Sequence, residues 1–392
     1  MKAYLKRAHA LHDELVANRR HLHEHAEVGD ELPMTTRYVA ERLKEMGHEP
    51  VEIAKNALKA VVGGKKSGKA FLLRGDMDAL PLQEESGLPF ACKTGAAHAC
   101  GHDLHTAMLL GAARMLKERE NELHGTVTLM FQPAEEIFIG AKSMIDNGIL
   151  KNPDVDAAFC IHVAADKPVG YLGYNKGYMM ASTDAFQIDV HGKGCHGAMP
   201  HTGVDPINAA AHIHIALQEI LSREISAAES AVITVGQFNA GTAMNIIPNL
   251  ATMRGTIRAY SAATRELAIR RLKEIATGVA GTFNARADVE FAMGIPSVHC
   301  DKDMVEFMMA MLEGAGVEGF TLAERSSMGS EDFAFVAEAV PSAFLALGGA
   351  LADESKRYAA HNPRIVFDED CLPIGAAAYA AFAETWLKKQ II

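Results

Sequence analysis

The chain has 392 residues, of which 49% are hydrophobic and 22% charged, and its formal net charge is −11. This length exceeds one ordinary domain and predicts two, each with a buried core. The acidic balance, without any basic stripe, argues against nucleic acid as a partner. No run of ~18 or more apolar residues is present, so we expect no membrane span.

The N-terminal segment 1–14 is charged throughout and lacks the apolar run of a secretory signal. Six cysteines are scattered without the spacing of a disulfide scaffold. We therefore expect reduced thiols and a cytoplasmic protein.

The first third of the chain alternates between helix and strand patterns. We predict helices over 4–26, 34–46, 102–119 and 141–147, and strands over 58–62, 70–73, 126–131 and 155–161. Short apolar strands between amphipathic helices favour an α/β layer with a mainly parallel sheet.

The pattern changes near residue 183. Strands are predicted over 186–191, 232–238, 251–259 and 287–291, with helices over 205–226 and 262–283. This strand-helix-strand-strand-helix-strand order is the ferredoxin-like arrangement. We predict an inserted α+β domain, residues 184–295, within an α/β catalytic domain made of residues 1–183 and 296–392, which ends in a helix over 372–388.

Chemically active side chains collect just after predicted strands. Four clusters do so, and a fifth opens a helix: residues 74–78 (RGDMD), 132–136 (QPAEE), 160–162 (CIH), 360–363 (AHNP) and, at the helix, 98–105 (HACGHDLH). Open α/β sheets bind ligands beyond the carboxyl ends of their strands. We therefore expect these distant segments to converge on one site.

Cys100 and His102 are separated only by Gly101. A thiolate and an imidazole at this spacing are good ligands for borderline metals. The alternative interpretation is a buried thiol beside a helix-capping histidine. The acidic pair and the two later histidines, His162 and His361, favour the metal interpretation.

Glu135 and Glu136 follow the apolar run Val127–Phe131. Two adjacent carboxylates are usually solvated surface charge. Because neighbouring residues point in different directions, one of them can bind a metal while the other takes a proton from water. The residues alone leave open which carboxylate does which.

The motifs HxCGHDxHT and QPAEE, followed by His162 and His361, together resemble the dinuclear metallopeptidase family of aminoacylases and carboxypeptidase G. The likeness is closest to its amidohydrolase branch, which includes hippurate hydrolase and the auxin-conjugate hydrolases, and it spans nearly the whole chain. It implies a metal-dependent hydrolase that converts N-acyl amino acids to a carboxylic acid and a free amino acid. The alternatives are a di- or aminopeptidase of the same family, a non-catalytic metal-binding protein, and a thiol hydrolase built on Cys100.

The resemblance also implies roles for single residues. The implied metal ligands, with Cys100 bridging, are Cys100, His102, Glu136, His162 and His361. The implied cofactor is a pair of divalent ions per subunit, of zinc, manganese, nickel or cobalt. Glu135 is implied as the general base and acid.

Two positions depart from the wider family, which has a His-x-Asp motif at residues 76–78 and a bridging Asp at position 100. Both departures fit the amidohydrolase branch. We interpret Asp78 as a carboxylate that orients a ligand imidazole, with a turn residue before Pro81 as the alternative. Asp76 receives no role.

The predicted insertion carries three further candidates. His196 lies in a segment that resembles the family's donor to the substrate oxyanion across a dimer interface, which implies a homodimer or larger homo-oligomer and a lid or dimerisation role for the insertion. A surface histidine on a glycine-rich hairpin is the alternative. Asn245 and Arg258 resemble the binders of the substrate carboxylate, with Arg254 as a rival and an exposed strand arginine as the alternative. Residues 329–333 (GSEDF) resemble a motif near the site, without an assigned role.

Overall fold

The structure, a computed structural model, describes residues 1–314 and 319–390. Its helices are α1 (Lys2–Ala10), α2 (His12–Glu24), α3 (Pro33–Glu45), α4 (His102–Glu118), α5 (Gly140–Asp146), α6 (Pro206–Ala216), α7 (Ala262–Thr282), α8 (Lys302–Gly314), α9 (Ala334–Ala339) and α10 (Cys371–Lys389). Its strands are β1 (Val51–Ala54), β2 (Ala57–Gly63), β3 (Lys66–Asp76), β4 (His124–Gln132), β5 (Ala157–Pro168), β6 (Tyr171–Tyr174), β7 (Tyr178–Met180), β8 (Thr183–His191), β9 (Cys195–His196), β10 (Ala231–Ala240), β11 (Ile246–Ile247), β12 (Leu250–Ala259), β13 (Arg286–Ile295), β14 (Val298–His299), β15 (Thr321–Glu324) and β16 (Ser342–Ala350).

The chain forms two compact units. The first unit comprises Met1–Met179, His299–Ser326 and the chain from Asp332 onward, and the second comprises Met180–Val298 and Ser327–Glu331. The second unit is therefore made mainly of one continuous segment that interrupts the sequence of the first.

An eight-stranded sheet in the order β1-β2-β4-β3-β5-β16-β6-β15 forms the centre of the first unit. The four middle strands, β4, β3, β5 and β16, run parallel to one another. Every residue of β3 from Ala70 to Asp76 is buried, as expected for a parallel strand covered on both faces. The predicted α/β layer with a mainly parallel sheet is confirmed.

The chain connections lead to opposite sides of the sheet from the neighbouring parallel strands β3 and β5. From β3 the chain passes through α4 to β4 on one side, whereas β5 pairs with β16 on the other side. In open α/β sheets such a reversal opens a crevice at the carboxyl ends of the two strands, where ligands bind.

The second unit contains a four-stranded antiparallel sheet in the order β10-β12-β8-β13. Apolar residues from α6 and α7 and from one face of the sheet form its buried core. The chain order β8-α6-β10-β12-α7-β13 with this strand order is the ferredoxin-like topology, which agrees with the predicted fold class.

Two predicted helices are wrong in extent. The predicted helix 4–26 is two helices that meet at Leu11, whose ψ of 4° leaves the helical range. The predicted helix 205–226 ends at Ala216, and a single π turn, Ile220–Glu224, follows. Neither interruption contains Gly or Pro. The apolar periodicity of the sequence continues across both breaks, and the prediction therefore ran each helix through them. Among the described residues, no helix has the length and apolar character needed to cross a membrane.

Candidate metal centre

Parallel strands bring the acidic groups of the first unit to one edge of the sheet. Asp76 is the last residue of β3, and the pair Glu135–Glu136 follows the end of β4 by three residues. His162 lies on β5, two residues beyond the point where the pairing of β5 with β3 ends, at Cys160. These positions border the crevice between β3 and β5.

A tight turn places Cys100 and His102 at the start of α4. Gly101 has a φ of 90°, and an added Cβ would lie 2.4 Å from Val163 Cγ2. Only glycine satisfies both the left-handed backbone and the close approach. The turn therefore presents two neighbouring ligands to the same space.

A strained turn likewise presents the two glutamates. Ala134 has a φ of 59°, a conformation that costs a non-glycine residue about 1 kcal/mol or more. Its N–H donates to Gly29 O at 2.9 Å. Strain of this kind concentrates at functional sites, where the surrounding structure holds it in place.

The five predicted ligands lie together in the first unit. Cys100 Sγ is 3.4 Å from His162 Nε2, and Glu136 Oε2 is 3.6 Å from His361 Nε2. Glu136 Oε1 is 3.8 Å from His102 Nε2. Ligand atoms lie within 4.8 Å of one another in three groups: Cys100, His102 and His162; Cys100, Glu136 and His361; and His102, Glu135 and Glu136. Cys100, His102 and Glu136 each belong to two of these groups, so the groups overlap in one cluster.

Two buried atoms in this cluster are suited to bind a cation. Among the described residues, His102 Nε2 and Glu136 Oε1 have no hydrogen-bond partner of acceptable geometry. A buried imidazole nitrogen and a buried carboxylate oxygen left without partners are costly unless a ligand satisfies them. A donor set of thiolate, imidazole and carboxylate suits a divalent metal. The residues present therefore fit a metal centre.

Burial and neighbouring charges set the protonation of the ligands. Burial raises the pKa of the Cys100 thiol and of the Glu136 carboxyl above their usual values. Burial, helped by the neighbouring His105, holds the pKa of His162 well below its usual value, which leaves its ring neutral. A cation would stabilise the anionic forms of the thiol and carboxyl groups.

Asp78 connects the ligands through both its side chain and its backbone. Its carboxylate accepts hydrogen bonds from the N–H groups of Glu135 and Glu136, at 3.0 and 3.1 Å. His102 Nδ1 donates to the main-chain carbonyl of Asp78 at 2.8 Å and lies 3.4 Å from its carboxylate. The interpretation that Asp78 orients a ligand imidazole stays a prediction: its carbonyl accepts the hydrogen bond from His102, its carboxylate lies beside the same ring, and the carboxylate also holds the glutamate turn.

Asp76, which the sequence left without a role, lies in a buried ion network. Its Oδ2 accepts a hydrogen bond from Arg74 at 2.7 Å, and Arg74 also donates to Asp332 at 3.1 Å. All three side chains are fully buried. Burial opposes the charge of Asp76, but the Arg74 guanidinium and two nearby histidines hold the pKa of Asp76 well below its usual value.

The residues proposed to bind substrate lie in the second unit. His196, on β9, is exposed and pairs across to β11, and the N–H of Gly197 donates to the carbonyl of Asn245 at 2.8 Å. His196 and Asn245 are thus neighbours within this unit.

The two rival arginines differ in their surroundings. Arg258 is half-buried and donates to Met328 O at 3.0 Å and to Ser330 Oγ at 2.8 Å, both in the second unit. Arg254 is exposed and donates to Gln187. Arg258 is therefore the anchored arginine of the pair.

Several contributors to the site were not singled out from the sequence. Arg74, His105, Gln132 and Asp332 are all buried and bond to one another or to Asp76. Each lies inside one of the motifs recognised in the sequence, so the motifs themselves carried the signal. The clearest missed signal was Arg74, which directly follows the apolar run of a predicted buried strand. A buried charge requires a partner, so its position indicated a nearby carboxylate.

A sequence model of peptidase family M20/M25/M40 matches residues 72–385. The chain is 38% identical to N-acetylcysteine deacetylase of Bacillus subtilis (strain 168), covering 95% of this chain and 97% of the relative. It is 39% identical to IAA-amino acid hydrolase ILR1-like 2 of Arabidopsis thaliana, covering 96% and 86%. It is 36% identical to thermostable carboxypeptidase 1 of Saccharolobus solfataricus, covering 97% of each.

Among solved structures, the chain is similar to the Bacillus subtilis YXEP protein, described as a dinuclear metal-binding peptidase of the M20 family. The TM-score is 0.84 and the identity 34%, with 97% of this chain and 99% of that chain covered. This likeness and the ligand groups support a pair of divalent metal ions. The chain therefore belongs to peptidase family M20/M25/M40 and is a metal-dependent hydrolase that acts on amide bonds.

Proposed function

We propose that this protein hydrolyses the amide bond of small N-acyl amino acids, releasing a carboxylic acid and a free amino acid. The observation that carries the proposal is a second carboxylate, Glu135, buried beside the five-ligand cluster with its Oε2 3.9 Å from His102 Nε2. The deacetylase and IAA-amino acid hydrolase relatives support this substrate class.

The five ligands, Cys100, His102, Glu136, His162 and His361, would hold two divalent ions. Bound there, such ions supply Lewis acidity, which makes the attacking water acidic near neutral pH and polarises the amide carbonyl. The thiolate favours zinc, nickel or cobalt, and the carboxylate tolerates manganese. Elemental analysis of the purified protein and reconstitution with each metal would choose among the four.

Glu135 transfers a proton from the attacking water to the leaving amine. As water adds its oxygen to the amide carbon, the Glu135 carboxylate accepts the released proton. It then gives this proton to the amide nitrogen as the carbon–nitrogen bond breaks, so that the amine leaves neutral. The N–H groups of Glu135 and Glu136 donate to the Asp78 carboxylate, and these two bonds keep Glu135 separate in position from the proposed ligand Glu136.

We propose the substrate contacts from the second unit. Arg258 offers a guanidinium fork suited to the substrate carboxylate, and Asn245 offers an amide. His196 donates a hydrogen bond to the carbonyl oxygen as negative charge develops there, and it does so in the site of a partner subunit.

The homodimer that this role requires is supported by the outer edge of the second unit's sheet. β10 is an edge strand on which Val232 and Phe238 are 38% and 40% exposed. An edge with exposed apolar side chains is a template for pairing with another chain. Light scattering of the wild type and of a Val232→Lys, Phe238→Lys variant tests this: we expect the variant to be monomeric and inactive.

We also propose a cytoplasmic location. All six cysteines are free thiols in the structure. Disulfides are rare in reducing compartments, so an unpaired set of this size fits the cytoplasm. Cell fractionation checks the proposal.

A peptidase of the same family is the second candidate, favoured by the carboxypeptidase relative. A panel of N-acetyl amino acids, N-benzoyl amino acids and dipeptides separates the two, with the released amino acid as the readout. We expect turnover of the N-acyl amino acids and its loss in chelator. Faster cleavage of dipeptides would identify a peptidase, metal binding without any turnover a non-catalytic protein, and activity that survives chelation a thiol hydrolase.

A further inference from the structure

The ladder between β3 and β5 ends just before the metal cluster. The last paired residues are Arg74 and Cys160. Beyond them, the buried N–H of Val163 donates to the ring of His105, with a distance of 2.9 Å to Nε2. Buried main-chain N–H groups require a partner, and here a histidine side chain from α4 provides it, beside the proposed ligand His162.

The hydrogen bonds of His105 define the state of its ring. Nε2 accepts from Val163 N–H and therefore carries a lone pair. Nδ1 lies 2.6 Å from Asp76 Oδ1 and donates to that carboxylate. These partners assign a neutral ring with its proton on Nδ1. Both nitrogens are engaged, so His105 has no lone pair for a metal, although it lies within ligand distance of Asp76 and His102.

The carboxylate that holds His105 is itself anchored. Asp76 Oδ2 accepts from Arg74 at 2.7 Å, and the main-chain carbonyl of Asp76 accepts from Thr106 Oγ1 at 2.6 Å. His105 is fully buried. One ring thus connects the end of β3, the first turn of α4 and the middle of β5.

Two proposed ligands sit on the elements that this ring connects. His102 begins α4, one turn before His105, and His162 directly precedes Val163 on β5. The rings of His105 and His162 are in edge contact, with centroids 4.5 Å apart. A change in the His105–Val163 bond would therefore move His162 relative to Cys100.

We propose that His105 is a positioning residue that sets the distance between the ligands on α4 and the ligand on β5, through its Nε2 bond to Val163 N–H. The inference rests on the proposed ligand set but not on the proposed substrate. Partners of this kind around a metal typically change its affinity by about 10- to 100-fold.

Two isosteric variants separate the two bonds. Gln places an oxygen near the position of Nε2, so His105→Gln keeps an acceptor for Val163 and loses the donor to Asp76. His105→Asn places an amide near Nδ1, so it keeps the donor and loses the acceptor. We expect His105→Asn to weaken the affinity for one of the two metal ions by about 10- to 100-fold, whereas His105→Gln stays within about 3-fold of the wild type.

The readouts are competition titrations of each ion against a chelator, and the thiolate charge-transfer band of the cobalt-substituted protein, which reports on Cys100. We expect a weakened band in His105→Asn only. Equal metal affinities in the two variants, or the reverse order, would overturn the proposal. The matched control is His48→Asn, which removes another buried histidine that bonds α4, at Ala113 O, away from the cluster; it should lower stability and leave metal affinity unchanged.

A measurement on the wild type covers the case in which a variant does not fold. In nitrogen NMR of labelled histidines, the ring of His105 is identified by its coupling to Val163 N–H across their hydrogen bond; at neutral pH this ring should carry its proton on Nδ1, in both the metal-loaded and the metal-free protein. A protonated ring or the opposite tautomer would overturn the proposal. A His162→Ala variant tests the ligand set separately. If its cobalt spectrum is unchanged, the proposed ligand set is wrong, whatever the role of His105.

Discussion

Most of the proposed metal ligands are more deeply buried than the proposed substrate contacts, although His361 is exposed and Arg258 is half-buried. In the first unit, His102 is fully buried and hydrogen-bonded to Asp78, and the buried Arg74–Asp76 pair lies behind it. In the second unit, His196 and Asn245 are exposed. The fold itself therefore organises most of the proposed metal ligands, whereas His196 and Asn245 depend on a substrate or a second subunit for their organisation.

The largest effect is expected from Glu135→Gln, which removes the proton carrier and keeps the shape of the side chain. Turnover should fall by about 10²–10⁴-fold or more, because general acid–base transfer is lost. Steady-state kinetics and elemental analysis check this, and the metal content should stay unchanged. Glu384→Gln removes another buried carboxylate, one bonded to Arg119, and serves as the control. Full activity in Glu135→Gln would refute the assignment.

His196→Ala tests whether an exposed residue of the second unit takes part in the chemistry. We expect kcat to fall by about 10²–10³-fold, the usual loss for one oxyanion donor, with unchanged metal affinity. His201→Ala, a change at a nearby exposed histidine, should have little effect. If both variants keep the wild-type kcat, neither His196 nor His201 is an oxyanion donor.

Arg258→Ala should act mainly on substrate binding. Loss of a charge-assisted contact with the substrate carboxylate costs about 1.5–3 kcal/mol, which lowers kcat/KM by roughly 10- to 100-fold. The effect should disappear for substrates whose carboxylate is amidated, because these have no charge to lose. Arg254→Ala is the control, and an equal effect there would contradict the choice of Arg258.

The smallest effect is a pH dependence of stability in the interior of the first unit. Burial lowers the pKa of His23, but bonds to Asp103 and Glu84 outweigh burial and the opposing charge of Arg19 and raise that pKa to about 8. Because the folded pKa exceeds the usual 6.5, the stabilisation is complete below about pH 6.5 and is lost as pH rises through about 8.

Urea unfolding of the metal-free wild type and of His23→Gln at pH 6 and pH 9 measures the contribution of His23 to the free energy of unfolding. The difference in the free energy of unfolding between the two proteins should shrink by about 2 kcal/mol from pH 6 to pH 9. The ring of His98, whose pKa burial lowers to about 4, also faces His23 and should remain neutral across this range. An equal difference at both pH values would contradict the shift.

Strong periodicity and motif position predicted the fold class and the convergence of the ligands. β3 and β4 are short apolar runs, and their ends delivered Asp76 and the Glu135–Glu136 pair to one edge, as parallel strands must. The sequence also predicted the order of strands and helices in the inserted unit. The break at Leu11 and the end of α6 at Ala216 were not predictable in this way, since no turn residue marks either position.

The roles of the supporting residues depended on three-dimensional distances. The sequence could not reveal that Asp78 faces His102 with its carbonyl as well as its carboxylate, because both groups belong to the same residue. Nor could it pair Arg74 with Asp332 or His105 with Val163, because no local pattern links residues so far apart in the chain.

The bond between Arg74 and Asp332 spans 258 positions of the chain. During synthesis, Arg74 can pair early with Asp76, but its bond to Asp332 cannot form until the whole inserted unit has been made, and His361 follows later still. Contacts so distant in sequence form late and slowly. A chain that stops before Asp332 thus lacks the second carboxylate partner of Arg74 and the proposed ligand His361, so the proposed metal centre can be completed only after the chain beyond the inserted unit has been made.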